Sequence, residues 1–343
     1  MNPSFNNYEM TRLSHNDATF DRVLHIAHFE WHGIRNATAY CPGQKLLIPA
    51  EQPLETRDGG PDEIKGAILN EIQRMGITHV VAQGYSHNMD QLLVHIRAGL
   101  GREVRIFVVN HVTTSQFDHA FEMEMLSLLF LRRQNRTLDG IASVKPNFGD
   151  VFPQIWNGLI FNFAPNIPEG AFSTRSEICS AYSPLDVGWR KNMYTNVMGA
   201  LLAKNVDEVR CANFPSGLEN VTGLEKLRLV GYLRGNKLFE KMANSQIVLL
   251  ATFAECQPMT QLEAFAVGTP AMTKHLGIKE FEKDELTQLC STHALDDPAL
   301  LALDITRLVD ATKDESAASQ MIIDHLHARH KLATDRYCEF LGV

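Results

Sequence analysis

Residues 244–273, NSQIVLLATFAECQPMTQLEAFAVGTPAMT, carry the order strand, loop, helix, strand, and no other stretch restricts the fold as much. The run 247–251 is aliphatic without polar alternation, the pattern of a strand covered on both faces in a parallel sheet. A loop is expected over 252–257, after which Pro258 suits the first turn of a helix. Met259, Leu262, Ala266 and Val267 recur at helical spacing, and Gly268 stands where a left-handed C-terminal cap belongs. A second strand starts over 271–273. Parallel strands joined through a helix imply an open α/β sheet, whose ligands gather beyond the carboxyl ends of the strands.

Glu255 closes the loop and Glu263 follows eight positions later, about one and a half turns into the helix, so both carboxylates can reach one crevice. The amides of Met259, Thr260 and Gln261, at the positive end of the helix dipole, would attract a diphosphate. Glu263 is then free to accept hydrogen bonds from a neighbouring sugar diol. A bare pair of glutamates is more often two solvated surface charges. Here the strand before, Pro258 inside and the GTP tripeptide after favour a site.

The E-x7-E spacing, the proline three residues after Glu255 and the tail EAFAVGTP resemble the signature of the retaining, group-4-like glycosyltransferases of the GT-B fold. That resemblance implies two Rossmann-like, doubly wound parallel-sheet domains facing a cleft. It also implies transfer of a hexosyl or pentosyl unit from a nucleoside-diphosphate sugar, with retained anomeric configuration. By the same resemblance Glu263 holds the ribose and Glu255 the hydroxyls of the sugar ring, while Pro258, Met259 and Thr260 border the donor. Lys191 and Arg190 meet the diphosphate, His111 lies under the far side of the sugar, and Gly33 sits in a loop that closes over donor and acceptor. Two departures stand out: Leu185 occupies the place of the family's upstream arginine, and the usual double glycine near Gly33 is single.

The chain of 343 residues has room for two domains with separate cores. Boundaries are expected at 1–20 for a flexible leader, 21–165 for an acceptor-side domain, 166–320 for a donor-side domain and 321–343 for a helix returning to the first domain. With 45% hydrophobic and 21% charged residues, no span long enough for a bilayer and no cleavable signal, a cytoplasmic protein is expected. A net charge of −8 gives no global attraction to phosphate polymers. The six cysteines are scattered without a CxxC pair, which fits reduced thiols.

In the first half, strands are expected at 22–29, 79–83, 105–109, 140–144 and 159–163, with helices at 63–75, 89–100 and 118–131. Arg132, Arg133 and Arg136 read as a solvated helix end. The Pro-rich segment 164–170 is the candidate linker. In the second half, strands are expected at 178–182, 207–211 and 227–231, and helices at 193–204, 236–243, 284–294, 297–312 and 316–341. His111 stands at the carboxyl end of the strand 105–109, whereas Arg190 and Lys191 immediately precede a helix, where cations oppose the dipole and so need another partner.

His25, His28 and His32 invite a metal reading, but positions 25 and 28 of a strand face opposite sides and cannot chelate one ion. No Asp-x-Asp pair presents itself for magnesium, so the expectation is no metal and no cofactor beyond the nucleotide sugar as co-substrate. The acceptor stays open among a glycan, a lipid-linked sugar, a small molecule and modified nucleic acid. Two alternatives share the fold: an epimerase acting on the nucleotide sugar, and a sugar-nucleotide-binding protein without turnover.

Overall fold

The structure is a computed structural model that describes residues 9–11, 18–51, 61–168, 171–172, 177–214, 216–218, 221 and 223–343. Most of the expected leader lies outside the described residues. The chain divides into two compact units, Met1–Phe163 with Leu332–Val343, and Ala164–Lys331.

In the first unit the strands are β1 (Glu9–Thr11), β2 (Val23–His28), β3 (Gln44–Ile48), β4 (His79–Gln83), β5 (Arg105–Asn110) and β6 (Gly140–Ser143). The helices are α1 (His32–Tyr40), α2 (Pro61–Arg74), α3 (His87–Leu100), α4 (Ala120–Gln134) and the single turn α5 (Phe148–Val151). The sheet runs β1-β3-β2-β4-β5-β6, parallel throughout except for β1, which pairs antiparallel with β3. Strand order reverses between β2 and β4, the place where an open α/β sheet leaves a crevice. Val23, Leu24, Ile26, Val80, Ile106 and Val108, from both alternations of their strands, are at most 1% exposed, so this sheet is covered on both faces.

The second unit has β7 (Ser180–Ser183), β8 (Glu208–Cys211), β9 (Leu227–Leu229), β10 (Ile247–Leu250), β11 (Ala271–Lys274) and β12 (Ser291–Thr292). Its helices are α6 (Met193–Leu202), α7 (Asn236–Ala243), α8 (Met259–Ala266), α9 (Glu285–Cys290), α10 (Pro298–Ala311) and the first part of α11 (Glu315–Leu341), whose last turns are grouped with the first unit. All pairs are parallel and the order is β12-β11-β10-β7-β8-β9. That is the doubly wound arrangement, with its switch point between β7 and β10. Gly268 ends α8 at φ +80, the left-handed cap expected from its position. Asp297 caps α10 by accepting from the amides of Ala299 and Leu300 at 2.8 and 3.1 Å.

The two parallel-sheet α/β units agree with the expected fold class, and several local expectations need correction. Gly33 lies in α1, not in a loop, and a Cβ built on it would meet nothing within 4 Å. The segment 159–163 makes only an isolated bridge, Ser143 to Leu159, although Ile160, Phe161 and Phe163 are buried. β3 was not expected, because its polar Gln44 and Lys45, 9% and 2% exposed, interrupt the apolar run. Lys45 is accommodated by donating to the Gly43 carbonyl at 2.7 Å, and burial lowers its pKa to about 8. Arg132 is not a solvated helix end: its Nε and Nη2 each lie 2.8 Å from one oxygen of Asp90. The helix expected over 284–294 is shorter and gives way to β12.

Candidate functional site

The loops that follow β7 and β10 meet at the switch point of the second sheet. Phe253 N–H donates to the Arg190 carbonyl at 3.0 Å, so the two loops are joined through their main chains. One residue from that bond, Lys191 Nζ donates to Glu255 Oε1 at 2.7 Å, with side chains 30% and 18% exposed. Neither is a freely solvated charge. The exposed ring of Trp189 stacks on Phe253 with centroids 6.2 Å apart, closing the outer side of the same junction.

Two asparagines fix this junction from below. Asn192, buried and left-handed at φ 54, precedes α6 and donates through Nδ2 to the carbonyls of Ala251 and Leu295 at 2.9 and 2.6 Å. Asparagine tolerates the left-handed region better than most side chains, which explains its place here. Asn196, 0% exposed, accepts from Ala251 N–H at 2.9 Å and donates to the Ala251 and Asn192 carbonyls at 3.0 and 2.7 Å. Every polar atom of its amide is thereby used, as burial requires. Sequence reading missed both residues as site-building groups; the available signal was an Asn directly after a cationic pair and before a helix.

Downstream in the loop, buried Gln257 accepts through Oε1 from Nη2 of Arg329 on α11. Arg329 is 5% exposed, and burial lowers its pKa to about 10. Lys274 Nζ donates to the Phe253 carbonyl at 3.0 Å. The loop carrying Glu255 is thus tied to α6, β11 and α11.

The remaining expected residues divide. Pro258 sits at φ −65 as the residue before α8, Met259 is 8% exposed and Thr260 is half-buried. Gln261 N–H donates to the Pro258 carbonyl at 3.1 Å, so it does not belong to the free amide set expected from the sequence. Glu263 is 3% exposed on α8. Arg190 is half-buried, and Leu185, 5% exposed, packs in the hydrophobic core of the unit. Gly33 belongs to the first unit and lies on an exposed turn of α1.

His111 directly follows β5 in the first unit. Its Nε2 lies 2.8 Å from Gln83 Oε1, which only accepts, so the ring proton sits on Nε2. Gln83 spends its two N–H groups on His25 Nδ1 at 3.0 Å and on the Tyr337 hydroxyl at 3.1 Å. Burial lowers the His111 pKa to about 4, keeping the ring neutral at pH 7. His28 lies 2.8 Å through Nε2 from Ser86 Oγ, and burial lowers its pKa to about 3. Near the C-terminus, His325 Nδ1 lies 2.9 Å from Asp284 Oδ2.

The larger of two cavities described, about 580 Å3, lies among the chain after β11, α9 and α10, and none of Lys191, Glu255 and Glu263 lines it. Among the described residues no group of three His, Cys, Asp or Glu side chains is arranged to hold a metal ion, and no helix is long and apolar enough to cross a membrane.

No family model matches the sequence, and no curated protein matches it. Solved structures do resemble it. S. aureus TarM, solved in complex with fondaparinux, alpha-GlcNAc-glycerol and UDP, is similar at TM-score 0.54 and 14% identity, over 81% of this chain and 59% of that one. The pneumococcal O-GlcNAc transferase GtfA, in complex with UDP and GlcNAc, is similar at 0.52 and 10%, over 84% and 63%. A UDP-forming alpha,alpha-trehalose-phosphate synthase from Burkholderia vietnamiensis is similar at 0.56 and 8%, over 94% and 100%. The chain spans about three fifths of the length of TarM. At this identity the likeness shows the fold, which is the GT-B fold of glycosyltransferases.

Proposed function

We propose that the protein transfers a hexosyl or pentosyl unit from a nucleoside-diphosphate sugar to an acceptor hydroxyl, with retention at the anomeric carbon and without a metal ion. The observation that carries this reading is the Lys191–Glu255 pair, 2.7 Å apart, at the switch point of the second sheet. Switch points are where open α/β sheets bind nucleotides. The structural neighbours solved with UDP, TarM and GtfA, and the UDP-forming trehalose-phosphate synthase support the same reading.

Transfer breaks the bond from the anomeric carbon to the diphosphate oxygen and makes one to the acceptor oxygen, whose proton leaves with the diphosphate. Negative charge therefore grows on the leaving diphosphate while the sugar ring becomes cationic. Lys191, held in place by Glu255 before the donor arrives, exchanges that carboxylate for the diphosphate and neutralises the growing charge, with Arg190 beside it. Glu255, released, accepts hydrogen bonds from the sugar hydroxyls. Glu263 serves the ribose diol, and the free amides at Met259 and Thr260 face the diphosphate. His111, in the first unit, stays neutral with its proton on Nε2, so it brings no positive charge that would oppose a cationic ring.

Catalysis on this account is electrostatic preorganisation, in which groups already aimed at developing charge need no reorganisation during reaction. Titration with free nucleoside diphosphates tests donor binding: a ligand at about a hundred times its dissociation constant stabilises by about 2.7 kcal/mol. NMR of the product formed with acceptor reports the anomeric configuration. Absence of any nucleotide-dependent stabilisation, or an inverted product, would overturn the reading.

A further inference from the structure

In the first unit a cavity of about 260 Å3 opens where the loops after β2, β4 and β5 come together. These strands flank the reversal of strand order between β2 and β4, so the cavity occupies the ligand position of this sheet. Its apolar wall is made by Trp31, Ile34, Phe117, Met125, Leu126 and Leu129. Gly84, at φ +80, brings the main chain against the Trp31 ring, where a Cβ would stand 2.9 Å from Cζ3, so the indole is held in place.

One polar group in this wall is left over. Asn110 is 4% exposed, its Oδ1 accepts from Val112 N–H at 3.3 Å, and its Nδ2 meets no acceptor among the described residues. Buried amide donors are seldom left unmatched, and an oxygen of a bound molecule would satisfy this one. The charge of the lining is also one-sided. Glu122 contributes a carboxylate, among the described residues no lysine or arginine lines the cavity, and His111 is held neutral by burial. A phosphate entering here would lose its hydration without gaining a cation.

Size narrows the ligand further. A dry apolar cavity of about 150 Å3 takes one benzene. At about 260 Å3 this one takes a single ring with a short substituent. Most of the polar lining is already paired, Tyr85 with Asp90, His111 with Gln83 and Gln116 with Glu122, so few groups remain for the many hydroxyls of an unmodified sugar.

We infer that this cavity binds the acceptor through an uncharged, single-ring aryl alcohol group whose oxygen accepts from Asn110 Nδ2–H, and that it rejects phosphorylated groups. The inference deepens the transfer reading by naming the chemistry of the acceptor, and the word acceptor rests on that reading; the binding itself does not.

Saturation-transfer NMR and calorimetry on the whole chain, without nucleotide, would compare benzyl alcohol with phenyl phosphate as probes. Benzyl alcohol is expected to bind at least tenfold more tightly. Ile34→Trp, at a half-buried position of the wall, fills the cavity and is expected to weaken benzyl alcohol more than tenfold. Asn110→Leu removes the donor at similar volume and is expected to weaken it by about five- to tenfold. Melting curves identify a variant that fails to fold, in which case the other variant decides. Equal or tighter binding of phenyl phosphate, no binding of benzyl alcohol, or unchanged binding in the folded variants overturns the inference. Titration of nucleoside diphosphate on the same samples judges the transfer reading separately: loss of the ring site with nucleotide binding intact removes only this inference.

Discussion

Lys191 and Glu255, which come from loops 64 positions apart in sequence, meet at 2.7 Å because α6 and the strand β10 are bolted together through Asn192 and Asn196. The pair accounts for a cation placed just before a helix, where the dipole disfavours it. Its side chains are partly exposed, so as a contribution to stability the pair is worth at most about 1 kcal/mol. A role in stabilising the fold is therefore a poor reason to hold it so firmly, and a role in binding a charged ligand is a better one.

Lys191→Ala is expected to slow transfer by about two to three powers of ten while nucleoside diphosphate binding falls much less, because charge on the leaving group grows toward the transition state. Steady-state kinetics beside calorimetry measure both. An unchanged turnover number would move the diphosphate clamp to another residue.

The strand β10 was legible because its apolar run is unbroken, and so was the cap at Gly268. β3 was not, since Gln44 and Lys45 are polar by type and buried by context. Gly33 suggested a loop by propensity, yet nothing prevents one glycine in a short helix whose neighbours favour it. Glu255 and Lys191 could each be singled out by local pattern, but their contact depends on strand order, which a periodicity does not contain. The work of Asn192 was equally hidden: a left-handed backbone and two long-range carbonyls are properties of the assembled sheet.

Asn192 offers a test that separates backbone strain from hydrogen bonding. Asn192→Gly keeps φ 54 without strain and loses the two Nδ2 bonds, whereas Asn192→Ala loses the bonds and adds strain. Each lost bond costs about 1 kcal/mol. The glycine variant is expected to lose about 2 kcal/mol in denaturant unfolding and the alanine variant about 1 kcal/mol more. Equal stability of the two would mean that the left-handed backbone carries no strain here.

Stability is expected to fall on acidification through His28. Its folded pKa is about 3 against about 6.5 in the unfolded chain, so between these values the unfolded chain binds a proton that the folded one does not. The contribution is complete above pH 6.5 and is lost as pH falls, reaching about 2 kcal/mol at pH 5 from about 1.4 kcal/mol per pH unit. His25 and His111, also lowered by burial, act in the same direction. Melting temperature followed from pH 7 to pH 4 measures the slope, and His28→Gln is expected to reduce it by about one proton. A slope identical to that of the parent would show that His28 is not held neutral.

The two glutamates are expected to fail differently, and the difference tests the whole assignment. Glu263 is 3% exposed on α8, so Glu263→Gln keeps its shape while removing the charge that would accept from a ribose diol. The ribose does not change during reaction, and loss of a contact made equally in ground and transition states weakens donor binding with a smaller effect on turnover. Glu255→Gln acts on the other side of the chemistry. It removes the partner of Lys191 and the acceptor for sugar hydroxyls, whose contacts tighten as the ring gains positive charge. Turnover is therefore expected to fall by about two powers of ten. Nucleoside diphosphate should still bind the Glu255→Gln variant nearly as well or slightly better, because Lys191 no longer has to leave a carboxylate. Calorimetry with the free nucleotide and steady-state kinetics on both variants distinguish these outcomes. Parent-like binding and turnover in both would mean that neither carboxylate touches a substrate, and the glycosyl-transfer reading would fall with them.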